Sequence, residues 1–409
     1  MSEWKKVKLK DCCHSISDGD HLPPPKSNSG VPFVTIANID ATNHIDFGNT
    51  MFVPLEYYNN LNEIRKAKCN DILYSVVGSF GKPVLIKENI PFAFQRHIAI
   101  LRPNNEIADS RFLYYVMLTR DFFMQADTVA IGAAQRTISL TALRNMEVKL
   151  PSMETQYRIA NILSRYDSLI ENYQKQIKLL EEAAQRLYKE WFVDLHFPGH
   201  ENAKIVDGVP EGWEKKTIDD VTCKVTTGLN PRKNFVLGKG SNYYVTIKNM
   251  ADNTLFLDDR CDRVDNEALE KINKRSDLKI GDILFSGIGT IGRVALVDIP
   301  TNNWNVSESV FTLRANDIVT KEFLYLMLLS PDMQNYCQSN AHGAAQKGIR
   351  MADLKAYSFY LPPFGVIQKF TNLVTPTIKK VSSIRNQIRL LTEARDRLLP
   401  QLMSGRIVL

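Results

Sequence analysis

The hydrophobic positions of residues 154–192 recur in alternating steps of three and four for more than four heptads. The segment contains no glycine and no proline, and charged or amide side chains fill most other positions. Such a stripe predicts one long amphipathic helix whose apolar seam must be buried against a partner. Residues 366–403 carry a second stripe with the same spacing. We therefore expect the two helices to form a coiled coil.

The second stripe is interrupted by a proline. Thr375 and Pro376 suit the N-cap and the first position of a helix, where the missing amide hydrogen of proline costs nothing. We expect a break or a kink of the helix at Pro376.

Short segments recur along the chain at a constant offset of 211 positions, as between Phe112 and Phe323. Other matching pairs are 34–36 with 245–247, 71–73 with 282–284, 132–135 with 343–346, and 150–151 with 361–362. A constant offset over so many matches indicates a tandem duplication. Each copy consists of a globular part followed by one of the long helices.

Each globular part mixes the two kinds of secondary structure. Residues 32–39 and 243–250 alternate apolar and polar side chains, which predicts half-buried strands. Residues 70–86 and 281–297 predict two strands around a glycine-rich turn. Further strands are expected at 98–101 and 310–313, and helices at 111–118 and 322–329. The predicted fold class is α+β, with a first domain at 1–151, a helix at 152–195, a linker at 196–212, a second domain at 213–362 and a helix at 363–409.

Composition narrows the function classes. The formal net charge is +6, which permits an anionic partner without requiring one. None of the six cysteines belongs to a C-x-x-C pair, so neither a zinc site nor a redox motif is indicated. The N-terminus is charged and lacks the apolar core of a signal peptide, and the longest apolar runs are too short to span a bilayer. We expect a soluble, cytoplasmic protein that does not bind membranes.

The motifs that could indicate catalysis or metal binding are weak. Asp18, Asp20 and His21 could bind a metal, but the corresponding segment 227–233 has neither carboxylates nor histidine. Asp332 with residues 353–355 fits the nuclease pattern P-D…D-x-K, which is also absent from the other copy. The glycine turns fit neither a P-loop nor a dinucleotide-binding loop, since a strand follows each of them. Nothing in the sequence supports catalysis.

Two loops, GAAQR at 132–136 and GAAQK at 343–347, each place a glutamine before a basic residue. Glutamine, arginine and lysine are the side chains that hydrogen-bond to the edges of adenine and guanine. The alternative is that each loop simply leads into a helix. The loops are therefore candidates for DNA contacts.

The duplicated order of these motifs resembles the specificity subunit of type I restriction–modification enzymes. The resemblance covers essentially the whole chain. It is carried by the opening WKKVKL at 4–9, the strand PFVTIANI, the DILYS-type strand with its glycine turn, the G-x-x-Q loop, and the entry into each long helix, where a Leu-Pro pair is followed by a glutamine at 150–156 and 361–368. It implies two target recognition domains held apart by two antiparallel helices. Such a protein reads a split DNA target with a non-specific spacer.

The resemblance also implies the partners. They are double-stranded DNA, two methyltransferase subunits that bind S-adenosylmethionine, and ATP-driven, Mg²⁺-dependent restriction subunits. This chain itself is expected to be non-catalytic and to bind no cofactor. A helix from Arg165 to Phe192 would span roughly 42 Å at about 1.5 Å per residue, against about 34 Å for one turn of B-DNA. Because the loops differ between the copies, the target should be asymmetric.

Candidate contacts follow from positions that recur in both copies. Candidates for phosphate or guanine contacts are Lys26, Lys82, Arg136, Arg232, Lys233, Arg293 and Lys347. Candidates for base or positioning contacts are Asn38, Gln95, His97, Gln135, Asn249, Ser307 and Gln346. Asn38 and Asn249 could instead only cap the end of a strand. The resemblance further implies that methyltransferase subunits dock on the helix faces around Glu171, Lys175, Gln185 and Arg186, although these side chains could also simply be solvated.

Three other functions remain open at this point. The chain could be the specificity subunit of a system in which methyltransferase and nuclease share one partner chain. It could be a duplicated coiled-coil adaptor that binds proteins and no DNA. It could also be a nuclease that uses the P-D…D-x-K match.

Overall fold

The computed structural model describes residues 4–21, 23–40, 42–133, 135–251, 253–343 and 347–407. The chain forms two compact units. The first combines residues 1–172 with 388–409, and the second comprises residues 173–387. The chain therefore leaves the first unit along one long helix and returns to it along the other.

The first unit is built on an antiparallel four-stranded sheet, in the order Cys13–Asp18, Ile98–Pro103, Ile72–Ser75 and Pro83–Leu85. A second sheet has three strands, in the order Met51–Val53, Val31–Val34 and Ala93–Phe94, of which the last two are parallel. A two-stranded sheet joins Lys5–Lys8 to Glu147–Leu150.

Alternating side chains place the four-stranded sheet between two apolar layers. Ile72 and Tyr74 face a core shared with the helices and with the start of the first long helix. Leu73, between them, faces the core shared with the three-stranded sheet. All three side chains are fully buried. Because both faces of this sheet are covered, the loops at the ends of its strands remain as places for polar side chains.

Three of the helices described in the first unit begin at N-cap side chains. Asp109, Thr119 and Ser139 each accept a hydrogen bond from the amide three residues on, which satisfies one of the free amides of a helix start. The α-helices of this unit before the first long helix are Leu55–Asn60, Ser110–Met117, Arg120–Val129 and Leu140–Asn145. The 3₁₀ turns are Leu9–Cys12, Ile36–Asn38 and Glu63–Arg65.

The second unit repeats this topology. Its four-stranded sheet has the order Thr222–Thr227, Val310–Ala315, Ile283–Ser286 and Val294–Leu296, and its three-stranded sheet the order Asp262–Val264, Asn242–Val245 and Trp304–Val306. Paired short strands are Glu214–Thr217 with Ser358–Leu361, Ile205–Val206 with Val209–Pro210, and Met250–Ala251 with Thr254–Leu255. Its shorter helices are Pro231–Asn234, Asn266–Ser276, Lys321–Leu328, Pro331–Ser339 and Met351–Lys355, with 3₁₀ turns at His200–Asn202 and Ile247–Asn249.

The strand–turn–strand and helix predictions were confirmed in both copies, but the strands predicted at 32–39 and 243–250 were too long. They end at Val34 and Val245, and a 3₁₀ turn follows each of them. In the first copy the Asn38 side chain accepts from the Thr35 amide, 2.8 Å away, and this capping closes the turn. Alternation of apolar residues does not detect such a local side-chain bond.

A buried ion pair explains the aspartate that precedes the DIL strand in each copy. Asp71 is 2% exposed and accepts hydrogen bonds from Nε and Nη2 of Arg102, at 3.0 and 2.8 Å. Asp282 is 1% exposed and accepts hydrogen bonds from the same two nitrogens of Arg314, at 2.7 and 2.9 Å. These hydrogen bonds raise the pKa of both guanidinium groups above its usual range. Each pair links two neighbouring strands of a four-stranded sheet.

The long helices run from Met153 to Phe192 and from Phe364 to Met403. In the first unit Asp167 pairs with Arg395 at 2.8 Å. In the second unit Glu181 pairs with Arg385 at 2.6 Å, and Trp191 packs on Phe370 with ring centroids 5.7 Å apart. In that unit higher numbers on one helix meet lower numbers on the other, so the segments are antiparallel. Within the described ranges, no helix combines the length and apolarity needed to cross a membrane.

The prediction of a helix break at Pro376 was wrong. The helix continues through this residue from Phe364 to Met403. Val374 and Phe370, two and six residues before the proline, are buried in the core of the second unit on the seam side. Burial of that seam outweighs the local cost of proline, about 3 kcal/mol in a helix interior.

Candidate nucleic-acid interface

One end of each four-stranded sheet collects most of the predicted contact residues. In the first unit, strands Cys13–Asp18 and Ile72–Ser75 end beside the starts of Ile98–Pro103 and Pro83–Leu85. The loop residues 131–133 and 135–138 join this end, because Gly78 donates its backbone amide to the carbonyl of Arg136 at 2.9 Å. Strand pairing and this loop contact together therefore place Cys13–Asp18 near a loop that follows more than 100 residues later in sequence.

A cleft of about 320 Å³ lies at this end of the first sheet. Its walls include two of the predicted residues, His97 and Gln135, together with Arg96 and Asp18. The backbone fixes the walls, since Val76 donates to the carbonyl of His97 at 2.9 Å and accepts from Ile138 at 2.8 Å. The sequence patterns did not single out Arg96, because its copy in the second unit is not basic. Exposed Lys26 lies on the following loop and does not line the cleft.

The acidic side chains beside the cleft, Asp18 and Asp20, contact other side chains of the same unit. Asp20 accepts from the hydroxyl of Tyr57 and lies 3.4 Å from Nη1 of Arg65. Burial, and then this aspartate, raises the pKa of Tyr57 above its usual range. Asp18 lies 2.8 Å from Nε2 of His21. Among the described residues, no group of three or more His, Cys, Asp or Glu side chains is placed to hold a metal ion.

Four of the predicted residues, two in each unit, hold together the loops at this end of their own sheet. Asn38 and Asn249 are buried, and each side-chain oxygen accepts from the amide of a threonine three residues earlier. Nζ of Lys82 donates to the carbonyl of Ile39 at 3.2 Å. Its counterpart Arg293 donates to the carbonyl of Ile247 at 2.9 Å. Each of these four side chains is thus bonded within its own unit, although the buried Nδ2 of Asn249 has no hydrogen-bond partner among the described residues.

Arg136 is also engaged inside the first unit. It forms an ion pair with Asp127 and donates to the carbonyl of the same residue. Its guanidinium carbon lies 5.4 Å from the centroid of the Phe80 ring, which stacks on Phe123. Gln135, the preceding residue, is exposed. The two residues of the Gln-Arg pair therefore have different surroundings: the glutamine is exposed, whereas the arginine side chain is 40% exposed and is bonded within the unit.

The second unit presents a different set of side chains at the same end. Arg232 and Lys233 are exposed on the short helix Pro231–Asn234, which Asn230 caps by accepting from the Arg232 amide at 2.9 Å. Lys347 is exposed, and its carbonyl accepts from Gly289 at 2.8 Å. Ser307 is buried, and its hydroxyl lies 2.7 Å from that of Ser309. Gln346 lies outside the described residues. Gln95, on the first unit, is half-buried.

The residues of the nuclease pattern have separate partners. Asp353 lies 3.2 Å from Nε2 of His342. Lys355 forms an ion pair with Asp219 at 2.7 Å. Asp332 is exposed in the first turn of the helix Pro331–Ser339. Among the described residues, no hydrogen bond or ion pair joins these side chains to one another, so this geometry gives the nuclease interpretation no support.

The four residues predicted for subunit docking fall into two groups. Glu171 accepts from Nε2 of His44 at 3.1 Å and from Nζ of Lys87, and Gln185 donates to the carbonyl of Leu326 at 3.1 Å. These two side chains fix a long helix to the rest of its own unit. Lys175 and Arg186 are exposed on the same helix.

The Glu171 cluster predicts a pH dependence of stability. The hydrogen bond from His44, with the Lys87 charge, lowers the pKa of Glu171 from 4.5 to about 2, and the same bond raises the pKa of His44 above 6.5. The glutamate contribution is present above pH 4.5 and is lost as the pH falls towards 2. The histidine contribution is present below pH 6.5 and is lost as the pH rises through the raised value.

We expect Glu171→Gln to cost the first unit about 1 kcal/mol near pH 5.5, with a smaller difference at pH 2.5. Urea unfolding of both proteins across this pH range measures the difference. Glu154→Gln, whose side chain is 74% exposed in an ion pair on the same helix, is the control and should change little. An equal loss of stability at pH 2.5 and 5.5 would contradict the assignment.

Comparison with known proteins gives consistent matches. The family model described as the type I restriction modification DNA specificity domain matches residues 1–182 and 210–388. The chain is 27% identical over 303 residues to the type I restriction enzyme MjaIX specificity subunit of Methanocaldococcus jannaschii, covering 73% of this chain and 69% of that protein. It is 24% identical over 479 aligned positions to the HindI specificity subunit of Haemophilus influenzae, with both chains fully covered.

A solved structure supports the fold. The crystal structure of the type I restriction–modification system S subunit from M. genitalium matches with a TM-score of 0.59 at 18% identity. The match covers 98% of this chain and 96% of that chain. At this identity the likeness establishes the fold, in agreement with the two matched segments of the family model.

Proposed function

Because this chain belongs to the type I restriction–modification DNA specificity family, we propose that each of its two units reads one half of a split DNA target. The chain is the specificity subunit that directs methylation and restriction by its partners. The observation that carries the proposal is the duplicated sheet end. The same place in both units gathers polar and basic side chains from distant loops, and the side chains differ between the units.

The difference between the two ends makes the target asymmetric. The first unit offers Arg96, His97 and Gln135 around its cleft. The second offers Arg232, Lys233 and Lys347, all exposed. Exposed lysines and arginines contact phosphates or guanine, whereas glutamine and histidine can contact base edges. We assign the internally bonded Asn38, Asn249, Lys82, Arg293 and Arg136 to holding these loops in place.

The chemistry belongs to the partners in this proposal. Two methyltransferase subunits bind S-adenosylmethionine, and restriction subunits use ATP and Mg²⁺. This chain contributes binding and no catalytic group. Lys175 and Arg186 are the side chains we assign to subunit docking, because they are exposed on the first long helix, whereas Glu171 and Gln185 are already bonded within their units.

The test is methylation mapping. The chain is produced with its methyltransferase partner, and methylated bases are located by single-molecule sequencing. We expect an interrupted, asymmetric motif. The absence of any sequence-dependent methylation, together with no sequence preference in binding at low salt, would contradict the proposal.

Gln135→Ala should relax one half of that motif and leave the other half unchanged. The glutamine is exposed in the cleft of the first unit, and loss of a good base contact costs about 1–3 kcal/mol of discrimination. Lys347→Ala, in the matching loop of the second unit, is the paired variant and should affect the other half or its affinity. If either variant changed both halves together, the two units would not read separately.

A further inference from the structure

Glu308 is a carboxylate at the sheet end that we propose faces DNA. It is half-buried, on the turn that precedes strand Val310–Ala315. Its Oε1 accepts from Nδ2 of Asn230 at 2.7 Å, and its Oε2 lies 3.1 Å from the hydroxyl of Tyr244. Both partners are neutral. Among the described residues, no lysine, arginine or histidine forms a salt bridge with this carboxylate.

The carboxylate is held in a fixed direction. Asn230 is anchored at its other end, because its Oδ1 accepts from the Arg232 amide at 2.9 Å. The Tyr244 hydroxyl also donates to the carbonyl of Leu229 at 2.7 Å, so it shares its proton between two acceptors. Each carboxylate oxygen has about two acceptor positions, and each of these two uses one within the protein. Glu308 therefore retains acceptor capacity on both oxygens.

The first unit has a residue of opposite charge at the same place. The backbone amide of Gln95 donates to the carbonyl of Val34 at 3.1 Å, and the backbone amide of Ser307 donates to the carbonyl of Val245 at 2.7 Å. On the other side of the turn, the carbonyl of His97 accepts from Val76 and that of Ser309 accepts from Gly287. Arg96 lies between Gln95 and His97, and Glu308 lies between Ser307 and Ser309, so the two residues occupy equivalent positions in the two units. Arg96 is exposed and lines the cleft.

A carboxylate turned towards a polyanion is unfavourable unless it gains a specific hydrogen bond. The groups in the major groove that donate to a carboxylate are the exocyclic amines, N4 of cytosine and N6 of adenine. An arginine at the same place is complementary to the two acceptors of guanine, O6 and N7. The charge inversion thus fits two readers of one fold that recognise different base edges.

We propose that Glu308 determines specificity in the second unit by accepting a hydrogen bond from the exocyclic amine of a cytosine or an adenine, and that Arg96 reads a guanine in the first unit. This inference rests on the proposed function and deepens it. It predicts that a single base position in each half-site depends on one side chain.

The experiment compares the wild-type chain, Glu308→Ala and Arg96→Ala, each assembled with the methyltransferase partner. Methylation mapping should show one degenerate position in one half-site for Glu308→Ala, and one in the other half-site for Arg96→Ala. Discrimination at that position should fall about ten-fold to a hundred-fold. The unaffected half-site reports that each variant is folded and assembled.

Deleting the amine from the DNA tests the contact itself. Fluorescent duplexes carry purine in place of adenine, or 2-pyrimidinone in place of cytosine, at the position that Glu308→Ala relaxes. The wild-type complex should lose about ten-fold or more in affinity for the amine-free duplex, and Glu308→Ala should bind both duplexes equally. The analogue that causes the loss identifies the base as adenine or cytosine.

The outcomes are separable. An unchanged motif for Glu308→Ala would overturn the assignment and leave the carboxylate as a clamp for the Asn230 loop. A wild-type complex with no bipartite motif would instead overturn the proposed function. If Glu308→Ala does not assemble, Glu308→Gln is used, with amine-free duplexes at every position of its half-site. Loss of the charge should then reduce the penalty at one position several-fold, and equal penalties at all positions would overturn the assignment.

Discussion

Replacing Asp282 by alanine is expected to lower the unfolding free energy of the second unit by about 3 kcal/mol. The carboxylate is 1% exposed and takes two hydrogen bonds from Arg314 and one from the Lys279 amide, at 2.8 Å. Removing it leaves a guanidinium that is only 22% exposed without its main partner. The value lies at the lower end for a buried pair, because Arg314 also donates to the carbonyl of Asp277 at 2.6 Å.

Asp277→Asn provides the matched control on the same arginine. Asp277 lies 3.2 Å from Nη1 of Arg314, but its side chain is 49% exposed, so the pair should contribute less than about 1 kcal/mol. Asparagine also tolerates the left-handed backbone at this position, where φ is 45°. Hydrogen exchange by mass spectrometry, with peptides from each unit, measures the effect. Equal losses for the two variants would show that burial of Asp282 does not matter.

Leu402→Ala is expected to destabilise the first unit by about 2–5 kcal/mol, although the residue lies near the end of the chain. Leu402 is 1% exposed in the same core as Phe112 and Leu163. Truncation removes apolar burial and leaves a cavity in that core. Peptides from residues 72–75 and 98–103 should therefore exchange faster.

Trp191→Ala is the counterpart in the second unit and should cost about 3–5 kcal/mol there. Trp191 is 5% exposed and packs on Phe370. Leu390→Ala, at a leucine that is 50% exposed on the second long helix, is the control and should change stability by less than about 0.5 kcal/mol. If Leu402→Ala loosened the second unit and left the first unchanged, the C-terminal segment would not belong to the first core.

The local elements were predictable because their signals are periodic and short-range. The heptad stripes predicted both long helices, and the glycine-rich turns in 70–86 and 281–297 predicted the strands 72–75 and 283–286 with their partners. The constant offset of 211 positions predicted two units of one topology, and the sheet orders confirm it. The predicted helix break at Pro376 was wrong because tertiary packing keeps the helix continuous, and local propensity does not include that packing.

The candidate site was predictable only as a set of loops. Sequence placed Lys82 and Arg293 at matching positions and predicted contacts with phosphate or guanine. In the structure each donates to a backbone carbonyl more than 40 residues away in sequence, and no periodic pattern contains such a partner. Arg96 and Glu308 were not selected, because charged candidates were chosen only where both copies carry a basic side chain.

The sequence by itself determined the two-fold repetition, the α+β class, the long helices and the family, since these depend on spacing along the chain. The tertiary structure decided which end of each sheet gathers the polar loops, and which basic side chains form hydrogen bonds or ion pairs within their own unit. It also decided that residues 388–409 complete the first unit and residues 173–192 belong to the second. The physical reason is that long-range packing sets burial and hydrogen-bond partners. The apolar stripe of a helix indicates only that its seam is buried against some other segment.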